Sequence, residues 1–312
     1  MSTTSLAGVA AYLPETSRSV EEVAGFFGLS DREVRRYRRF FGLDSVRWAP
    51  AARQADLLTA AAGRLPDLAA HAHRIRYVLH ARTIEPAAPY PVSPLHETVR
   101  RLGLERAVTF AVSQHACASG LLAVELAGRL LAAGGDPDGL VLVLAGEKTY
   151  RHVSTYMPAV AIMGEAGAAC LVGLDGPRDR LVAYTTRTYG TYHDVTAQNR
   201  DLAGRFQEMY PEALADLIRA ALGQARLDLA DLRLILPHNV NRISWTRLCQ
   251  LLDLPFERVV LDNIPVTGHC FCADPFLNYV HARDHGRLRP EDHYLMVSVG
   301  LGATFSAMLF RH

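Results

Sequence analysis

The 312-residue sequence has almost no net charge, 33 Lys and Arg against 32 Asp and Glu, so it lacks the broad positive field that draws proteins to nucleic acid. Its five cysteines form no even-numbered framework, and no charged leader precedes an apolar segment. A reducing, cytoplasmic setting is expected rather than a disulfide-stapled secreted fold. No uninterrupted apolar run approaches the roughly 20 residues of a membrane span, so no membrane association is expected. Low-complexity tracts are scarce. Cys270 and Cys272 stand beside His269, but a second pair at zinc spacing is missing, and no metal is expected. What is present is 49% hydrophobic residues in a chain long enough for a large core, the composition of a globular enzyme.

Apolar, strand-like runs fall at 107–113, 140–145, 166–173, 180–188, 232–236, 258–262, 294–299 and 303–310. Segments with helical periodicity lie between them, at 118–133, 212–224, 243–253 and 273–286. This alternation predicts an α/β protein with helix-covered sheets. Gly, Pro and alternating charge near 172–180 suit a surface connection.

Candidate chemistry begins at Cys117. It follows the strand-like run 107–113 and opens the helical string QHACASGLLAVELAGRLL, where unpaired backbone N–H groups favour a thiolate and can hold an oxyanion. A strand-like run ends at His238 in PHNVN, and His269 follows Gly268 in TGHC. In the tail, Gly300 and Gly302 hinge two apolar runs around Leu301, and glycine lets backbone amides approach a ligand closely. One cysteine, two histidines and a glycine-flanked amide make the parts of a thioester-handling site. Asp274 either orients an imidazole or caps the helix that begins at Pro275. His115 reads as structural. The roles of Glu147, Lys148 and the TYHD string at 191–194 are left open, and the basic aromatic run REVRRYRRF at 32–40 reads as a solvated helix face.

These motifs carry a family likeness. The chain resembles a β-ketoacyl-ACP synthase III type enzyme of the thiolase superfamily over nearly its whole length: LAGVAAYLPET, GLSDREVRRYRRFFGL, DLLTAAAGRL, QHACASG, PHNVN in place of the usual PHQAN, GEAGAACLVG and GLGATFSAMLF occur in the family's order. The resemblance implies a thiolase-like fold of two similar halves, 1–175 carrying the nucleophile and 176–312 carrying the histidines. Each half would hold a mixed five-stranded sheet, in α/β/α/β/α layers. One departure stands out, because His269 occupies the place of the family's usual Asn, so TGHC resembles the elongating synthases with their Cys, His, His triad.

The resemblance further implies that Cys117 takes an acyl group from acyl-CoA or an acyl-phosphopantetheine carrier, with the backbone N–H groups of Cys117 and Leu301 as oxyanion hole and no bound cofactor. His238 and His269 would stabilise an enolate formed when a malonyl-type extender loses CO₂. The alternative at the same site is acyl transfer to an alcohol or amine with His238 as general base, and a further one is a non-catalytic partner subunit. Either chemistry fits polyketide, lipid or other secondary-metabolite biosynthesis. Arg36, with Arg35, Arg38 and Arg39 around it, would meet the CoA phosphates or an acidic acyl carrier protein, and Arg242 and Arg247 would dock the carrier. Met157, Pro158, Val160 and Met163 are expected to line the tunnel or a homodimer interface.

Overall fold

The computed structural model describes residues 2–84, 88, 89, 91–151 and 160–312. Met157 and Pro158 lie outside these residues. Among the described residues, nine strands form one sheet: β1 (Thr4–Tyr12), β4 (Ile75–Ala81), β5 (Val108–Val112), β6 (Leu140–Gly146), β7 (Gly167–Leu174), β8 (Arg180–Thr188), β9 (Leu232–Pro237), β10 (His293–Gly300) and β11 (Thr304–Arg311). A separate ribbon pairs β2 (Ser17–Ser19) with β3 (Ser45–Arg47).

Spatial order in the large sheet is β5-β4-β6-β7-β1-β8-β11-β10-β9. The first five follow the pattern third, second, fourth, fifth, first in chain order. The last four repeat it from the opposite edge once Val259, which bridges Ile235 in parallel, is counted as the short third member. Directions repeat as well, since β4 pairs parallel with β5 and β6 as β9 does with β10 and Val259, and the remaining neighbours are antiparallel. The strand expected at 258–262 is thus a 3₁₀ turn, Phe256–Arg258, followed by a single bridge, because the apolar stretch is too short to extend the ladder. A single β1–β8 pair, Ser5 with Arg180, joins the two sets of strands.

Both faces of the central strands are apolar, as expected where helices cover each side. Val78, Leu142 and Leu144 pack toward the helices Gln54–Ala62 and Pro94–Arg101. Their alternates Leu79, Val141 and Val143 meet the helices Ser119–Gly134 and Asp274–Asp284, which also cover Leu234, Leu236, Met296 and Met308. The reverse face of those strands, with Ile235, Leu295, Val297 and Leu309, packs on the helices Arg200–Ala225 and Arg242–Leu252. The result is five layers, α/β/α/β/α, held among the described residues by three apolar clusters. The segment Ala116–Gly134 is long and apolar enough to cross a membrane by length and composition alone, and it forms the middle layer, where Leu121, Val124, Ala127 and Leu131 are buried.

The helix expected at 212–224 begins earlier, at Arg200, capped by Asn199, whose side chain accepts from the Leu202 N–H. Pro211 lies inside it. A proline there removes one backbone donor and commonly ends a helix, but the buried side chains Leu202 and Phe206 continue the apolar face across it.

Candidate active site

Cys117 sits in a 3₁₀ turn, Ala116–Ala118, directly before the helix Ser119–Gly134. The turn is strained on entry, since Ala116 has φ of 47°, in the region that side chains other than glycine rarely adopt. The end of β10 locks it from below: Ser298 Oγ donates to the Cys117 carbonyl at 2.9 Å, and a Cβ on Gly300 would lie 2.0 Å from the His115 carbonyl oxygen. Gly300 is therefore required for β10 to approach the nucleophile turn. Gly302, at φ of 111°, occupies backbone space open to glycine.

His269 lies across from the thiol, with Nε2 3.2 Å from Cys117 Sγ, and Nδ1 is 2.5 Å from Asp274 Oδ2. The same carboxylate accepts from the Asn239 N–H at 2.5 Å, the Cys270 N–H at 2.8 Å and, more weakly, Asn239 Nδ2 at 3.4 Å. Asp274 is fully buried and its bonds leave its own helix uncapped, so of its two sequence readings the structure displays the imidazole contact. Asn278 braces the arrangement by donating to the Pro237 carbonyl at 2.7 Å and Asn239 Oδ1 at 2.8 Å. Burial disfavours a charge on His269, but Asp274 and Cys117 outweigh it and hold the imidazole well above its ordinary pKa. A cysteine, a histidine and an aspartate thus lie in hydrogen-bond sequence.

His238 occupies a different position. It follows β9, its backbone N–H donates to the Val297 carbonyl at 2.9 Å, and its ring centre is 6.2 Å from that of His269. Its Nε2 lies 3.0 Å from the Tyr210 hydroxyl, and its buried Nδ1 has no partner among the described residues. Burial and the neighbouring His269 charge push its pKa down to about 3, so it stays neutral. Tyr210 carries no signal in the sequence reading, because Pro211 places the helix start beyond it. Another unanticipated neighbour is Thr83, whose Oγ1 is 3.5 Å from Cys117 Sγ and 3.6 Å from Cys272 Sγ.

A cavity of about 260 Å³ opens onto these groups. Cys117, His238, His269 and Leu301 line it together with Phe206, Tyr210, Val160 and Met163, and Arg36 and Arg247 stand among its lining residues. Both arginines are exposed. Arg242 instead lies in a neighbouring groove with Arg38, Arg39 and Arg287, its guanidinium 5.1 Å from the Phe256 ring centre. Arg38 is paired with Glu21 and Asp44. Glu147 accepts from the Thr83 and Ile84 N–H groups at 2.6 and 2.8 Å, and Lys148 pairs with buried Glu165 at 2.6 Å. The thiols of Cys270 and Cys272 point to different carbonyls, those of Thr267 and Ala116.

Residues 222–312 match the family described as 3-oxoacyl-[acyl-carrier-protein] synthase III C terminal. The β-ketoacyl-[acyl-carrier-protein] synthase III of Rhodospirillum centenum is 26% identical over 324 residues, covering 97% of each chain. Among solved structures, the acyltransferase ChlB3 superposes with a TM-score of 0.85 at 21% identity, covering 99% of this chain and 97% of its own. The Aquifex aeolicus 3-oxoacyl-[acyl-carrier-protein] synthase III gives 0.82 at 19%, covering 99% and 100%. The five-layer fold is thus the one shared with these thiolase-like synthase III structures, and the C-terminal segment 222–312 carries the synthase III match.

Proposed function

We propose that the protein moves an acyl group from a CoA or carrier-protein thioester to Cys117 and then to an alcohol or amine acceptor, without release of CO₂. The observation that carries this reading is the Asp274–His269–Cys117 alignment. Cys117 attacks as the thiolate, its charge balanced by the His269 imidazolium. The oxyanion is held by the N–H groups of Cys117 and Leu301. When the tetrahedral adduct collapses, His269 gives its Nε2 proton to the departing thiol. The acyl-enzyme no longer carries the anion that helped to hold that proton.

His269 is then neutral, and Asp274 keeps the remaining proton on Nδ1. Its Nε2 is a lone pair directed at the acyl-cysteine, which suits removal of a proton from an incoming hydroxyl or amine. The acceptor attacks, Cys117 leaves as thiolate, and His269 is again protonated. A decarboxylating extender needs N–H donors on its thioester oxygen, and in this state His269 offers an acceptor. The geometry therefore favours transfer over the condensation that the family resemblance implies. It also favours His269, rather than His238, as the base.

Arg36 and Arg247 at the cavity are proposed to meet the phosphates of the donor, and Arg242 a carrier surface alongside. Intact-protein mass spectrometry with a panel of acyl thioesters and acceptors tests the reading. Wild type should gain and then lose the acyl mass, and Cys117→Ala should gain none. His269→Ala should discharge at least about 10²-fold more slowly, with His238→Ala less affected. A larger effect at His238 would overturn the base assignment.

A further inference from the structure

The two imidazoles of the site are not equivalent, and the difference lies in Tyr210. Its ring is packed edge-on against Phe206, with centroids 5.7 Å apart, and tilted against Phe305 at 5.4 Å. Two aromatic contacts fix where the hydroxyl points, which is at His238 Nε2, 3.0 Å away. Trp245 closes another side of the imidazole, with centroids 5.4 Å apart, and its Nε1 donates to the His238 carbonyl at 3.3 Å. The ring is thus held between Trp245 and Tyr210, with Nε2 facing the phenol. Burial raises the pKa of the phenol, so it remains a neutral hydroxyl.

Loss of CO₂ from a malonyl-type thioester leaves negative charge on the thioester oxygen, and each preorganised donor to such an oxygen supplies on the order of 10²- to 10³-fold in rate. Among the described residues, His269 and His238 both line this cavity beside Cys117, and their Nε2 atoms are the imidazole donors considered for that oxygen. The first is a lone pair once the acyl-enzyme has formed, on the transfer reading above, on which this argument rests. The second is occupied by Tyr210. We propose that Tyr210 is a specificity-determining residue that keeps His238 Nε2 from the substrate, denying a malonyl-type thioester its donor and reserving the acyl-enzyme for oxygen or nitrogen acceptors. In both hydrogen-bond directions open to the pair, His238 Nε2 is engaged with the phenol oxygen rather than free for the substrate.

The test is CO₂ release from malonyl-CoA, normalised to acyl-Cys117 measured by intact mass, in wild type, Tyr210→Phe and Tyr210→Phe/His238→Ala. Removing the hydroxyl should raise CO₂ release by about tenfold or more, the low end for one donor. The double variant should return to background, because the gain acts through His238. The proposal is overturned if Tyr210→Phe gives no rise, or if the rise survives loss of His238. If wild type passes its acyl group to an alcohol or amine without CO₂ and Tyr210→Phe gains nothing, the Tyr210 assignment alone fails. If wild type itself releases one CO₂ per acyl group, the transfer reading and the Tyr210 assignment fail together.

Discussion

Replacing Asp274 by Asn tests the site at its most constrained point. The carboxylate receives the His269 Nδ1 and Asn239 N–H protons on Oδ2, and the Cys270 N–H and Asn239 Nδ2 protons on Oδ1. An amide has one acceptor oxygen and one NH₂, so whichever way it turns, its NH₂ meets donors already aimed at that position. Losing a charged, buried acceptor and leaving donors unmatched should destabilise the fold by on the order of 3 kcal/mol. The deficit depends on pH in a defined direction. His269 has a raised pKa in the folded state, so the stability it contributes is complete below its ordinary value near 6.5 and disappears as pH rises through the raised value. The gap between wild type and Asp274→Asn in urea titrations should therefore be widest at acid and neutral pH and narrow on the alkaline side. In activity, an amide in place of the carboxylate no longer fixes the proton on Nδ1, and transfer should fall by on the order of 10³- to 10⁴-fold. Transfer within tenfold of wild type would refute the role given to Asp274.

Gly300→Ala should cost on the order of 10²-fold in acylation rate, because its Cβ would lie 2.0 Å from the His115 carbonyl oxygen and displace the nucleophile turn; rapid-quench mass spectrometry reads this directly. Burial raises the Glu147 pKa from 4.5 to about 7, so the folded state loses up to about 3 kcal/mol as pH rises from 4.5 through 7. Glu147→Gln should flatten that slope in denaturation curves taken across the range. A homodimer is predicted through β5, an edge strand whose Val108 and Phe110 are exposed. Light scattering should give twice the 34.3 kDa chain mass, and Phe110→Arg should shift the population toward monomer.

Much of the architecture could be read from local pattern, because both faces of the central strands are buried and their apolar runs are nearly continuous, as in 140–146 and 167–174. β4 escaped notice since Arg76 and His80 interrupt its run, although His80 is buried against Gln54 and the Gly146 carbonyl. Cys117, His238 and His269 stood out as residue types at strand ends and glycine turns. Their division of labour did not, because it depends on which partner each ring meets across the fold. Asp274 is five residues from His269, so local spacing suggested the contact without deciding it against a capping role. Tyr210 and Thr83 reach the site from elements distant in sequence, and Pro211 hid the helix that carries Tyr210.

The central claim is that the acyl group on Cys117 leaves with a nucleophilic acceptor under His269 base catalysis. A single-turnover chase addresses it most directly. Enzyme loaded with acyl-Cys117 and freed of donor is mixed with a pool of alcohol and amine acceptors in one arm and with carboxyl-labelled malonyl thioester in the other. The loss of acyl mass and the labelled CO₂ are followed together. Discharge is expected in the first arm, with the acyl group recovered on an acceptor, and CO₂ at background in the second. Discharge only in the second arm, with one CO₂ per acyl group lost, would contradict it.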